Sequence, residues 1–286
     1  MNRTKSVFIG FYPMIAMGIL GFSGWQLFES RDVLTWAGPL LTTVPFVVFL
    51  SRIMMLKNVA RTSARFPVMN GLALVGVALS VYSTFIQGDG MVLPVALAVL
   101  GAVTFFAYSV WYSVLGRVSS VKLTVGQRLP DFEVKDTNGG VVRTRDFLGK
   151  PALIFFYRGN WCPLCMAQVK EIAARYHEII TLGTRVVLIS PQPHANTVKL
   201  AGRFGVNFDF LTDEGNRAAR VLNIAMPNGL PMGMGLLGYD SETVFPTVII
   251  LDADGVIRWV DQTDNYRIRP EPDTFLPLLR QITRPT

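Results

Sequence analysis

Four stretches without a single Asp, Glu, Lys or Arg occupy most of the first 117 residues, over 6–28, 33–51, 66–88 and 90–116. They hold 23, 19, 23 and 27 residues. A helix that crosses the hydrocarbon core of a bilayer needs about 20 predominantly apolar residues, so all four qualify. The expectation is a four-helix transmembrane bundle over 1–117, with spans at about 6–28, 33–51, 67–88 and 91–116. The second stretch carries Pro39, Pro45 and threonines, which membrane helices tolerate. A cleaved signal peptide is the alternative for the first stretch, but three more spans follow it, which favours an anchored bundle.

Charge around these spans is lopsided. Arg3, Lys5, Arg52, Lys57, Arg61, Arg65, Arg117, Lys122 and Arg128 flank one side, nine against Arg31 alone on the other. Positive loops stay cytoplasmic, so both termini are expected on the cytosolic face of a bacterial inner membrane. Three spans instead of four would reverse that. No charge lies within a span, which argues against a transport pathway, and without cysteine the spans cannot relay a disulfide. Gly76 with Ser80, and Ala98 with Ala102, permit close helix approach, although ordinary membrane-helix composition accounts for them as well. Anchoring to the lipid bilayer is the expected role.

After Arg117 the texture changes. Residues 118–286 hold 19 Lys+Arg and 17 Asp+Glu, and contribute only +2 of the net +7. The basic balance therefore belongs to the membrane flanks and gives no reason to expect a nucleic-acid partner. Residues 118–125 read as a linker and 126–286 as one globular domain.

The only two cysteines of the chain lie in this domain, as Cys162-Pro163-Leu164-Cys165. The apolar run Ala152-Leu-Ile-Phe-Phe-Tyr157 leads into them through Arg158-Gly-Asn-Trp161. A helix that starts at such a pair stabilises a thiolate through its N-terminal dipole, and C-x-x-C after a buried strand is a thioredoxin-like redox signature. Half of a zinc site is the alternative. Zinc needs four ligands, no second C-x-x-C exists, and His177 and His194 would have to converge from elsewhere. Both histidines read as structural or surface residues, His177 on a helix and His194 in a loop. No metal and no other cofactor is expected.

Around the pair, Gly126–Lys135 and Val141–Thr144 flank the turn Asn138-Gly139-Gly140, a hairpin signal. Apolar positions Val169, Ile172, Ala173, Tyr176, Ile179 and Ile180 predict one long helix from Pro163, closed by Gly183. Strands are predicted at 152–157, 185–190, 208–211, 247–251 and 256–260, and helices at 196–204, 216–222 and 273–281. Strands alternating with helices and ending in a hairpin and a helix describe an α/β domain with a mixed sheet, the thioredoxin-like arrangement.

Four stretches carry a family resemblance: Gly126…Pro130-Asp131-Phe132, Phe156-Tyr-Arg-Gly-Asn-Trp-Cys-Pro-Leu-Cys165, Ile189-Ser-Pro-Gln192 and Asn265-Tyr-Arg-Ile-Arg-Pro-Glu-Pro272. Together they make residues 126–281 resemble the alkyl hydroperoxide reductase/thiol-specific antioxidant family, in its peroxiredoxin-like (redoxin) branch with a C-x-x-C. The resemblance implies a redox-active disulfide at Cys162 and Cys165, an antioxidant role and resetting by an external thiol reductant, either thioredoxin-like or of low molecular weight.

Two departures bear on mechanism. Counted from the Phe-Tyr pair, Cys162 falls where peroxiredoxins carry a Thr and Cys165 where they carry the peroxidatic cysteine, whereas thioredoxins attack with the first cysteine. The position of the peroxiredoxin arginine holds Pro246, and Phe245-Pro246-Thr247 resembles the cis-proline turn of thioredoxins. Arg158 is then the nearest base along the chain, a thiolate or peroxide partner or else a solvated strand-end arginine. Trp161 shields one face of the dithiol or caps the core.

The loop Met226–Asp240 carries Met226, Met232 and Met234 among four glycines. It reads as an apolar active-site lid, or as thioethers for Cu(I). These features together predict a membrane-anchored thiol oxidoreductase acting on disulfides or hydroperoxides. The alternative is a redox-sensing or Cu(I)-handling module coupled to the bundle.

Overall fold

The computed structural model describes residues 3–55, 64–88 and 90–283. Lys57, Arg61 and Asp89, on which the expected orientation draws, lie outside the described residues. The chain divides into two compact units, Val7–Val114 and Met1–Ser6 together with Leu115–Thr286.

The first unit is helical: α1 (Arg3–Ser30, its first turn belonging to the other unit), α2 (Val33–Met55), α3 (Pro67–Tyr82) and α4 (Val92–Phe106). α3 and α4 run on into π-helical turns at Ser83–Gln87 and Ala107–Tyr112. Four helices are thus long and apolar enough to cross a membrane, over Arg3–Ser30, Val33–Ile53, Pro67–Gln87 and Val92–Tyr112. The fourth stops at Tyr112, short of the expected 116, because Leu115 already donates its N–H to Asp264 O at 2.8 Å. Within α2 the Thr42 and Thr43 hydroxyls donate to the Pro39 carbonyl at 2.8 and 3.0 Å, so neither is left unsatisfied in apolar surroundings.

Small residues set the helix spacing. A Cβ on Gly38 would lie 1.9 Å from Ser80 Oγ and 2.6 Å from the Gly76 carbonyl, and one on Gly101 would lie 2.3 Å from Thr42 Oγ1. Ala98 and Ala102 are buried. Gly76 and Ser80 are therefore a packing requirement of the α2–α3 contact, not merely membrane-helix composition.

The second unit is built on a seven-stranded sheet of order β2-β1-β5-β4-β3-β8-β9. Its strands are β1 (Glu133–Lys135), β2 (Val141–Arg143), β3 (Ala152–Phe156), β4 (Arg185–Ser190), β5 (Asp209–Thr212), β8 (Thr247–Leu251) and β9 (Ile257–Asp261). A separate pair joins β6 (Ala225–Met226) to β7 (Thr243–Val244). β3, β4 and β5 are parallel, while β1–β2, β1–β5, β3–β8 and β8–β9 are antiparallel. Every residue of β3 and β8 is buried, as continuous aliphatic and aromatic runs require of strands covered on both faces. Helices α5 (Pro163–Ala174), α6 (Tyr176–Thr181), α7 (His194–Ala201), α8 (Arg217–Val221) and α9 (Pro272–Ile282) supply the cover. This is a thioredoxin-like fold with a mixed sheet.

Local departures from expectation have local causes. The single helix expected from Pro163 breaks at Arg175 (φ −103°, ψ 15°). Arg175 bonds Glu178 through Nε at 2.7 Å and Asp273 through Nη1 at 2.9 Å, which ties the break to α9. Gly183 closes α6 with φ +67°. The hairpin turns on Gly139 (φ +86°), with Asp136 Oδ1 accepting the N–H groups of Asn138 and Gly140 at 2.8 Å each. His194 is the first residue of α7, not a loop residue, because Pro193 holds the preceding extended backbone (φ −49°, ψ 134°). Its Nδ1 lies 3.0 Å from Thr212 Oγ1. Residues 118–125 are built into the unit, with Leu123 in the core and Ser120 Oγ donating to Leu222 O at 2.6 Å.

Candidate active site

β3 delivers the dithiol. Its last residues extend alongside β4, with Tyr157 N–H donating to Ile189 O at 3.0 Å, and the chain then turns through Arg158-Gly159-Asn160-Trp161. Gly159 has φ +147°, and a Cβ there would lie 2.7 Å from Trp161 Nε1. Only glycine lets the backbone reverse beside that indole.

Cys162 is the N-cap of α5 and Pro163 its first residue, where the missing N–H costs nothing. The Cys165 N–H donates to Cys162 Sγ at 3.4 Å. Both thiols are free and only 1% exposed. A hydrogen bond from the Cys165 thiol, reinforced by the Arg158 and Arg269 charges and the Cys165 N–H, overcomes burial and brings Cys162 down to about 6. Burial, followed by the neighbouring Cys162 sulfur, pushes Cys165 up. One sulfur is therefore poised as a thiolate and the other as its proton-bearing partner.

The surroundings hold the turn rigidly. The Arg158 guanidinium lies 4.6 Å over the Trp161 ring, with Nη2 donating to Gly229 O. Arg158 O accepts from Thr243 Oγ1 at 3.0 Å. Gln192 Oε1 accepts the Asn160 N–H at 2.7 Å, and Gln192 Nε2 donates to Tyr157 Oη at 3.2 Å and Thr197 Oγ1 at 3.1 Å. Tyr239 Oη donates to Asn160 Oδ1 at 2.5 Å and accepts from Asn196 Nδ2 at 3.0 Å.

A second cation comes from far along the chain. Arg269 is 5% exposed, and its charge acts on both cysteine sulfurs. Gln168 Nε2 of α5 donates to Pro270 O at 3.3 Å, which holds this segment against the dithiol helix.

The profile of the AhpC/TSA family matches residues 125–260. Peroxiredoxin Q, chloroplastic, of Sedum lineare is 30% identical over 163 residues, covering 56% of this chain and 80% of that one. The chain belongs to the AhpC/TSA family. It is a thiol-dependent oxidoreductase. Peroxiredoxin Q, chloroplastic, of Oryza sativa subsp. japonica is 27% identical over 155 residues, 54% of this chain and 65% of that one. Among solved structures, peroxidoxin BcpB from Mycobacterium tuberculosis aligns with a TM-score of 0.47 and 21% identity, over 56% of this chain and 98% of that one.

In this AhpC/TSA member the expected site residues fare differently. Cys162, Cys165, Arg158 and Trp161 come together, and Arg158 is buried, so the solvated-arginine alternative is set aside. Pro246 and Thr247 stand at the start of β8, where Thr247 pairs with Phe156. The cis-proline expectation is corrected: among the described residues no peptide bond is cis. Phe245 N–H donates to Ile224 O at 2.8 Å and Pro246 O accepts from Arg117 Nη1 at 2.9 Å, which suits an extended trans strand-opening proline. Trans is also the isomer an X–Pro bond prefers by about 0.5–1 kcal/mol. Thr247 Oγ1 accepts from Arg117 Nη2 at 3.2 Å and donates to Phe245 O at 2.8 Å.

Of the three methionines, Met226 is buried in β6 while Met232 is exposed in the loop. Among the described residues no three of His, Cys, Asp and Glu cluster as metal ligands. Arg269 is the residue that reasoning along the chain missed, although it lies within the Asn265–Pro272 motif.

The Cys162 shift has a direct readout. Thiolate absorbance at 240 nm should rise through a first step centred near pH 6, absent in Cys162→Ser. Reaction with an electrophile should climb tenfold per pH unit below that step and level off above it, since only the thiolate attacks. A first step at about 8.5, the value of an unperturbed thiol, would remove the poised-thiolate assignment.

Proposed function

We propose that this chain is a membrane-anchored thiol oxidoreductase of redox homeostasis with Cys162 and Cys165 as its redox couple. The observation that carries it is the placement of Cys162 at the α5 N-cap with the Cys165 N–H on its sulfur. The Cys162 thiolate attacks the terminal oxygen of a hydroperoxide; the O–O bond breaks and the leaving oxygen departs as an alkoxide or hydroxide that takes up a proton. The resulting sulfenic acid condenses with the Cys165 thiol, forming the disulfide and releasing water. With a disulfide substrate, the same thiolate forms a mixed disulfide that Cys165 resolves. An external thiol reductant, thioredoxin-like or of low molecular weight, returns two electrons to the couple.

Membrane anchoring is supported by the four long apolar helices. The excess of Lys and Arg around the first and last spans favours a cytosolic face for residues 126–286, in a bacterial inner membrane. One experiment tests couple and anchoring together. Membranes bearing the full chain are treated with a single equivalent of hydrogen peroxide and extracted with carbonate. The protein should stay in the pellet and contain one Cys162–Cys165 disulfide by peptide mass spectrometry. Two free thiols after oxidation would refute the couple, and release by carbonate would refute the anchor.

A further inference from the structure

We propose that the loop Pro231–Gly238 is a lipid contact, seated in the headgroup layer. The proposal rests on the membrane reading above.

Residues 221–239 form a 19-residue stretch without Asp, Glu, Lys or Arg, yet the loop within it stands in the open. Leu236 is 93% exposed, Leu237 67% and Met232 47%. Gly233 and Gly238, at φ +90° and +83°, give the loop its projecting shape. Adjacent large apolar side chains so exposed mark an interaction surface.

The root of the loop indicates which partner it meets. Ser6 Oγ donates to Leu230 O at 2.5 Å, and the Met232 N–H donates to Ser6 O at 3.1 Å. Ser6 belongs to the thiol unit, and it opens the 23-residue charge-free stretch that continues as α1. The loop is therefore pinned at the residue where the chain enters its first apolar span. Leu236 is four residues beyond Met232, a reach of at most ~14 Å at about 3.3–3.6 Å per residue. The headgroup region on one side of a bilayer is roughly 5–8 Å deep, a depth that a chain of this length is able to span.

A second attachment repeats the pattern. Leu115 N–H and Arg117 N–H donate to Asp264 at 2.8 and 2.7 Å, just after the last apolar helix ends at Tyr112. Val118 and Val121, which follow, are 87% and 79% exposed. The loop also reaches the chemistry: Arg158 donates to Gly229 O before it, and Tyr239 donates to Asn160 Oδ1 after it. Both ends thus grip the turn that presents Cys162.

The test uses the full chain with Cys162→Ser and Cys165→Ser as background, a single nitroxide label, and phosphatidylcholine–phosphatidylglycerol vesicles. Labels go on Leu237→Cys and, in case that variant fails to fold, Leu236→Cys. Leu148→Cys is the water reference, an exposed leucine before β3 at the end away from the dithiol, and Leu74→Cys of α3 is the span reference. The ratio of oxygen to nickel-EDDA collisions should be high at 74, low at 148 and clearly intermediate at 237, the depth of a headgroup contact. A label at 237 that behaves like 148 while 74 stays in lipid would overturn the loop proposal and leave the anchor standing. Nickel access at both 237 and 74 would overturn both. Shielding of 237 from both reagents would mean a protein occupant and would equally overturn the lipid assignment.

Discussion

Cys162→Ser should abolish turnover with every electrophile, whereas Cys165→Ser should still react once and stop. The reason lies in how differently the two sulfurs are held. Cys162 caps α5, accepts the Cys165 N–H and sits under the influence of Arg158 and Arg269, which lowers its pKa. Cys165 lies inside the helix, where burial and the adjacent sulfur keep it protonated. In Cys165→Ser the lone Cys162 should accumulate as a sulfenic acid after hydrogen peroxide and add dimedone in a one-to-one ratio. In Cys162→Ser no dimedone adduct should form. Steady-state activity should fall at least about a thousandfold in both, because a two-thiol cycle lacking either member acts with the other as a unit. Dimedone on Cys165 in Cys162→Ser, at the rate of the unmutated protein, would reverse the assignment and return the chain to the peroxiredoxin register.

How much of this was legible in the sequence follows from how local each signal is. The dithiol turn was readable because its parts are contiguous: a buried strand, a glycine, a C-x-x-C and Pro163 in the first helical turn. The sheet was readable for a similar reason, since β3, β4 and β8 are unbroken apolar runs. The break at Arg175 was not, because it depends on Asp273, nearly a hundred residues away. Burial of Arg158 was hidden for a related reason. An arginine at a strand end reads as solvated, and only the fold brings the Gly229 carbonyl and the Trp161 ring to it. The proline before β8 misled through local likeness. Phe-Pro-Thr carries no signal for its isomer, and the Arg117 bond to Pro246 O depends on a residue far upstream. Arg269 was out of reach for the same reason. Its motif was visible as a resemblance, but nothing in Asn265–Pro272 itself says that this segment folds back on α5.

That folded-back arginine leads to the second large effect: Arg269→Met should slow peroxide reduction about a hundredfold to a thousandfold. Cleavage of the O–O bond places negative charge on the leaving oxygen. A preorganised donor aimed at such developing charge is worth about 2.7–4 kcal/mol. Pro246 occupies the position where the family resemblance implies an arginine, so the donor must come from elsewhere. Two buried cations act on Cys162, Arg158 and then Arg269, and the Arg269 charge acts on Cys165 as well. Arg158 is committed to the Gly229 carbonyl and the Trp161 face, an arrangement suited to holding the turn and lowering the thiolate pKa. Arg158→Met should therefore raise the first thiol step and slow disulfide and peroxide substrates by a similar factor. Arg269→Met should penalise hydrogen peroxide well beyond a small disulfide, and Arg269→Lys should recover part of the rate, since it keeps the charge but not the planar fork. Stopped-flow rates at a pH above the first thiol step of every variant separate donor from pKa effects, because the Cys162 thiolate is then fully formed in each. Equal losses for peroxide and disulfide under that condition would reduce Arg269 to a general electrostatic role and leave the leaving-oxygen donor to another group.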